Sequence, residues 1–126
     1  MRQLVLAACL GAASLLACRH PTSKIEGHWQ GQKVEGVAVS AQLPGDTFAQ
    51  GTEIIAQGNQ IAIQTPAGRN PAATYTVDKE DPTTLVLHTD RDSSTETFTF
   101  NEKADVMVWK VDAVRSITFR KMADSK

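Results

Sequence analysis

The chain has 126 residues, with 13 basic and 14 acidic side chains and a formal net charge of −1. Charges of both signs are interspersed, which leaves no basic footprint for a nucleic acid. The length is that of a single domain, and the only two cysteines, Cys9 and Cys18, both fall before that domain begins, so its fold depends on no disulfide framework.

Met1 and Arg2 give the N-terminus a positive start, and Leu4 to Leu16 is apolar or small apart from Ser14. The run stops at Arg19 and His20, short of the roughly 20 apolar residues that a membrane-spanning helix needs. The layout is that of a signal peptide covering residues 1–17. Residues 18–24, polar and containing Pro21, read as a short tether.

Leu15-Leu16-Ala17-Cys18 resembles the lipobox of bacterial lipoproteins, with a branched apolar residue at minus three, a small residue at minus one and then cysteine. Leu16 is bulkier than the residue usual at minus two. The resemblance implies cleavage before Cys18, a diacylglycerol on its thiol and an acylated new amino terminus, with palmitate-like chains holding the domain to a membrane. Leu6-Ala7-Ala8-Cys9 fits the same four-residue pattern, but its apolar run is shorter than the roughly 7–15 residues that a signal requires. The plain alternative is that Cys9 and Cys18 pair, or simply fill apolar space in an ordinary signal. Arg19 follows the cysteine where lipoproteins kept in the inner membrane often carry Asp, so the resemblance implies the outer membrane, periplasmic side.

From Ile25 the pattern has period two, broken at short intervals by turn residues, which predicts antiparallel strands. A long first strand is expected over residues 25–43, bent at Gly36. Further strands are expected near 52–57, 60–65, 73–78, 84–89, 95–101, 106–111 and 115–121. Pro44-Gly45-Asp46, Gly58-Asn59, Pro66 to Pro71, Glu80-Asp81-Pro82, Asp90 to Ser94 and Asn101 to Asp105 supply the turns. Connections this short join antiparallel neighbours, and no stretch shows helical periodicity. The expected fold is all-β, a small antiparallel up-and-down barrel of about eight strands over residues 25–122, with a β-sandwich as the alternative and residues 123–126 as a tail. Expected inward side chains include Ile61, Ile63, Tyr75, Val77, Leu85, Leu87, Phe98, Phe100, Ile117 and Phe119, with Trp29 and Phe48 also available to fill the interior.

Gly27-His28-Trp29 at the start of the first strand, with Arg120 or Arg115 in the last, resembles the Gly-x-Trp opening and closing Arg of lipocalins and their short bacterial relatives. The resemblance implies a barrel closed at one end by Trp29, with Arg120 across the indole as a cation–π partner, and it implies a small apolar ligand. The plain alternative is a core tryptophan that carries no ancestry. This chain is shorter than such proteins and shows no C-terminal helix.

"MVWKV" is apolar on both faces, with Met107, Trp109 and Val111 on one side and Val106 and Val108 on the other. It is either a strand covered by a loop or tether, or a small interaction patch formed by Met107, Trp109 and Val111. His20, His28 and His88 have no ligand spacing on a shared strand face. Asp90, Asp92, Ser94 and Glu96 resemble the opening of a calcium loop but lack its central glycine and closing glutamate. No nucleophile elbow, phosphate loop or paired-cysteine pattern is found. The expectation is a lipid-anchored envelope protein whose barrel is a non-catalytic binding or interaction module, without cofactor or metal. Its expected partners are the membrane and either an envelope protein or a small apolar ligand. A carrier of that ligand, and an enzyme whose site is assembled from distant strands, are the alternative readings.

Overall fold

A computed structural model describes residues 24–91 and 94–123. Nine strands follow one another as β1 Gly27–Glu35, β2 Glu53–Gln57, β3 Gln60–Thr65, β4 Gly68–Arg69, β5 Ala73–Glu80, β6 Thr84–Thr89, β7 Thr95–Phe100, β8 Val106–Lys110 and β9 Ser116–Lys121. Each neighbour pairs antiparallel. The order β2-β1-β9-β8-β7-β6-β5-β3 is closed by β2 pairing with β3, while β4 is a short outer strand on β3. The protein is thus a closed eight-stranded up-and-down barrel, as the strand pattern predicts. Closure removes the two free edges that an open sheet would carry.

One side of each of the eight barrel strands faces in, whereas both residues of β4 are exposed. Trp29, Ile54, Leu85, Leu87, Phe98, Met107 and Phe119 are fully buried, with Ile61, Tyr75, Phe100 and Ile117 nearly so. Burying a side chain of this size stabilises the fold by about 1.5–3 kcal/mol. Ile63, Val77 and Trp109 pack against this core while remaining half-buried. Threonines at 74, 76, 97, 99 and 118 take the outer face, where β-branched residues suit a half-exposed pleated surface.

The first strand is where expectation and structure part. β1 ends at Glu35; Gly36, at φ +87°, turns the chain into a short 3-10 turn, Val39–Ala41, and then a helix, α1, Gln42–Gln50. Pro44 and Gly45 therefore lie in the first turn of a helix, where proline's missing N–H costs nothing. Phe48 sits on that helix with much of its ring exposed and does not enter the barrel. The turn expected at Pro66 to Pro71 also contains β4.

The helix is fixed by an unfinished edge. β2 pairs with β1 only over Gly27–Gln30, whereas β9 pairs with β1 as far as Glu35. Beyond Gln30 the free edge of β1 is met by other groups. The Gly31 N–H donates to the Thr52 carbonyl at 2.9 Å, and the Val34 N–H donates to Asp46 Oδ1 at 3.0 Å. Gln42 Nε2 donates to the Val34 carbonyl at 2.8 Å. The α1 side chains thus take the place of a continued β2. Gly31 makes the approach close: a β-carbon there would lie 1.9 Å from the Ala49 carbonyl oxygen.

Replacing Gly31 by Ala should force α1 off β1 and lower the stability by about 1–3 kcal/mol, the usual cost of overpacking. Gly68→Ala, where a β-carbon meets nothing within 4 Å, should leave the urea midpoint unchanged. Equal midpoints for the two variants would show that the helix does not depend on this contact.

Candidate functional site

The two ends of the barrel differ. At one end lie the start of β1, the β2–β3, β5–β6 and β7–β8 turns and the last residue of β9. Trp29 closes this end. Its Nε1–H donates to the Ile25 carbonyl at 2.8 Å, and its ring meets Phe100 edge-on at 5.9 Å. The cation over the indole is Lys121, whose Nζ lies 5.6 Å from the ring centroid. Arg120, expected in that role, is exposed on the outer wall and pairs in register with Gln30 and Val106. Strand parity decides this: Ile117, Phe119 and Lys121 share the inner side of β9, and position 120 must point out. Gly27 belongs to the same arrangement. It has φ +130°, and a β-carbon on it would sit 2.7 Å from Lys121 Cε. Arg115, the other expected partner, is at the far end, held by Asp112.

A broad open groove of about 680 Å³ runs over this closed end between Lys24, His28, Gln57, Lys103 and Lys121. Its lining mixes charged groups with Ile55 and Ala56.

The open end carries two smaller hollows. One, of about 130 Å³, lies among Ile61, Ile63, Leu87, Thr89 and Glu96. The other, of about 250 Å³, is bounded by Val34, Val37, Phe48, Val111 and Ile117, where α1 meets the lip of the barrel. Strand order puts Trp109 and Glu96 between them. Trp109 stacks on Phe98 at 6.3 Å and tilts against Phe119 at 6.4 Å, and its Nε1–H donates to Glu96 Oε1 at 2.8 Å.

That placement corrects the patch expected from "MVWKV". Met107 is fully buried in the core and the half-buried Trp109 is packed on it, so of Met107, Trp109 and Val111 only Val111 is exposed. The outward Val106 and Val108 are half-buried between neighbouring strands, which accounts for the second apolar face. The exposed apolar side chains of this end are instead Val39, Leu43, Phe48, Val111 and Val114. All five lie in α1, the turn before it and the β8–β9 connection, where period-two reasoning expects strand or turn. Leu43-Pro44 after a polar Gln42 is the only signal for a helix start in that stretch.

The β8–β9 turn, Val111 to Arg115, is held by one carboxylate. Asp112 Oδ1 accepts the Arg115 N–H at 2.7 Å and the Val114 N–H at 2.9 Å, while Oδ2 accepts from the Arg115 guanidinium at 2.7 and 2.8 Å. The Arg115 backbone N–H first, then the guanidinium and the Val114 N–H, lower its pKa from 3.8 to about 2.

Of the histidines, His28 Nε2 lies 3.0 Å from Glu53 Oε1, and His88 Nδ1 lies 2.9 Å from Asp78 Oδ1. Each pair bridges adjacent strands on the outer wall. Among the described residues no three His, Cys, Asp or Glu side chains are placed to share a metal ion. In "DRDSSTE", Asp90 accepts the Thr74 N–H and Glu96 is engaged by Trp109; Asp92, like His20, Cys9 and Cys18, lies outside the described residues. No known protein family, no curated protein and no solved structure matches the chain.

Two measurements check this geometry. Lys121→Met should lower stability by about 0.5–1 kcal/mol through loss of the cation–π contact, and Arg120→Met should not; the reverse order would restore the arginine assignment. Because the folded pKa of Asp112 is depressed, its contribution to the turn is complete above the unfolded value near 3.8 and is lost as pH falls through about 2. The Val114 and Arg115 amide resonances should move over that window, and in Asp112→Asn they should not.

Proposed function

We propose that this protein is a membrane-tethered interaction module, a small barrel that acts through its outer surface and carries out no catalysis. The observation that supports this most is the contrast between its inside and its lip. Bulky side chains occupy the barrel from the Trp29 end upward, while five large apolar residues are exposed at the open end. Exposed apolar residues grouped at one end of a small domain mark a contact surface. The tether reading rests on the lipobox resemblance at Cys18 and on the position of the barrel's entry. Lys24 is at the closed end, and six residues of extended chain from Cys18 reach at most about 20 Å. A lipid on Cys18 would therefore hold the closed end near the bilayer and leave the lip facing away from it.

A second reading, the carrier of a small apolar ligand, is favoured by the 250 Å³ hollow under Phe48. That volume is just below the roughly 300 Å³ at which drug-sized sites begin. A nonpolar fluorescent probe separates the two readings. Saturable binding that is lost in Phe48→Glu and kept in Met122→Glu supports the carrier; no saturable binding supports the interaction module.

The tether has its own test. Labelled fatty acid should enter the wild-type protein and the Cys9→Ser variant but not Cys18→Ser, which should leave the membrane fraction still folded. One acyl chain holds only marginally, and the two or three chains implied hold firmly. If Cys18→Ser still takes up label and sediments with membranes while Cys9→Ser does not, the anchor is Cys9; if neither change matters, the protein is not a lipoprotein.

A further inference from the structure

Three lysines, Lys24, Lys103 and Lys121, line the 680 Å³ groove over the closed end, and each is set there by a separate device of the fold. Lys121 lies along the indole of Trp29, its Nζ 5.6 Å from the ring centroid, in space that Gly27 leaves free. Lys24 precedes Ile25, which is fully buried and whose carbonyl accepts the Trp29 Nε1–H at 2.8 Å. Lys103 belongs to the β7–β8 turn. There Asn101 Oδ1 accepts the Asp105 and Val106 N–H groups, both at 3.0 Å, and the Asn101 carbonyl accepts the Ala104 N–H at 3.0 Å. Ala104 has φ +55°, the one left-handed non-glycine residue among those described, and it stands beside Lys103 in the groove wall. A turn fastened in this way fixes where the Lys103 stem starts. The charges of the wall do not cancel. Among the described residues Glu26 is its only carboxylate, and it accepts the Gly58 N–H at 3.3 Å. Asp81, Glu102 and Asp105 of the same end lie outside the lining. Lys24 has Glu80 at a loose 3.8 Å, whereas Lys103 and Lys121 have no carboxylate partner among the described residues.

We propose that this groove is a headgroup site, in which the phosphate of an anionic phospholipid lies among Lys24, Lys103 and Lys121 and seats the closed end of the barrel on the membrane. It rests on the tether reading and gives the tethered domain an orientation. Lysine suits the role, since each ammonium is a compact charge with three donors on a flexible stem that can follow the oxygens of a phosphate. Ile55 and Ala56 in the same wall offer apolar contact to the glycerol that carries it. The size is suitable: small-molecule sites span roughly 300–1000 Å³, and a groove of about 680 Å³ holds a headgroup with its glycerol. Position favours a lipid over a free phosphate. The groove begins at Lys24, six residues from Cys18, so a lipid there keeps it within about 20 Å of the headgroups. A site tethered in this way meets them at raised effective concentration, and a modest intrinsic affinity suffices. With the closed end so seated, the exposed apolar residues of the lip face away from the bilayer.

Amine footprinting of the full-length protein with a succinimidyl ester tests this. In vesicles of equal parts phosphatidylcholine and phosphatidylglycerol, Lys103 and Lys121 should react several-fold more slowly than in phosphatidylcholine alone. Lys33 and Lys110, toward the other end of β1 and β8, should react at the same rate in both. Lys103→Gln should cut the protection of Lys121 about fivefold, the effect of one lysine at an anionic surface. It should unfold at the wild-type temperature, since Lys103 is exposed, and Lys110→Gln should leave the protection as it is. Equal rates for Lys103 and Lys121 in the two vesicles, or slowing of all four lysines alike, overturns the proposal. Protection by glycerol 3-phosphate in an uncharged detergent, without protection in the vesicles, makes the ligand a soluble phosphate and overturns the headgroup site. Flotation with phosphatidylcholine alone reports the tether separately. Protein that floats there but shows no protection in the mixed vesicles keeps its anchor and loses the headgroup site; protein that does not float there lacks the anchor, while slower labelling of Lys103 and Lys121 with phosphatidylglycerol still supports the groove.

Discussion

The backbone edge of β1 is the constraint on which much of the rest depends. A barrel wall has to satisfy every main-chain N–H and C=O it buries, and β1 runs five residues further along β9 than β2 can follow. The missing stretch of wall is supplied by Asp46 and Gln42, side chains on a helix, together with the Thr52 carbonyl. A helix set into a wall must come close, and closeness here requires that position 31 carry no side chain. Gly31, α1 and the Asp46 carboxylate are thus one device.

The same device shapes the molecule's surface. A two-and-a-half-turn helix has one face for the barrel, taken by Ala49, Gly45, Gln42 and Asp46, and its other residues are left outside. Leu43 and Phe48 fall on that outer side, and the preceding turn adds Val39. Across the lip, the Asp112-bound turn presents Val111 and Val114. The closed end is built on the opposite principle: Trp29 fills the interior, Lys121 lies along it, and Gly27 makes room for the lysine stem. The barrel is plugged where the chain enters and apolar where it is open, which is the asymmetry behind the functional reading.

Strands were legible because each registers its environment locally. Ile61 and Ile63, Leu85 and Leu87, Phe98 and Phe100, Ile117 and Phe119 alternate with polar or β-branched neighbours, and the turn residues between them set the connections. Closure followed from the number of strands and the shortness of their links. The stretch from Val37 to Phe48 misled because Val37, Val39 and Leu43 alternate in the same way, although only Val37 packs against the core while Val39 and Leu43 face solvent. Pro44-Gly45, which resembles a turn, serves in a helix start.

The sequence by itself determined the class of fold, the strands and their inward faces, the special place of Gly27 and Trp29, and the resemblance at Cys18 on which the anchor rests, since all of these are written in periods and motifs spanning a few residues. Tertiary structure decided that Lys121 rather than Arg120 covers Trp29, that Met107 and Trp109 turn inward, and that a helix completes the wall beside Gly31. Each of these depends on which residues become neighbours across strands distant in sequence, through a register and an edge length that no local pattern records.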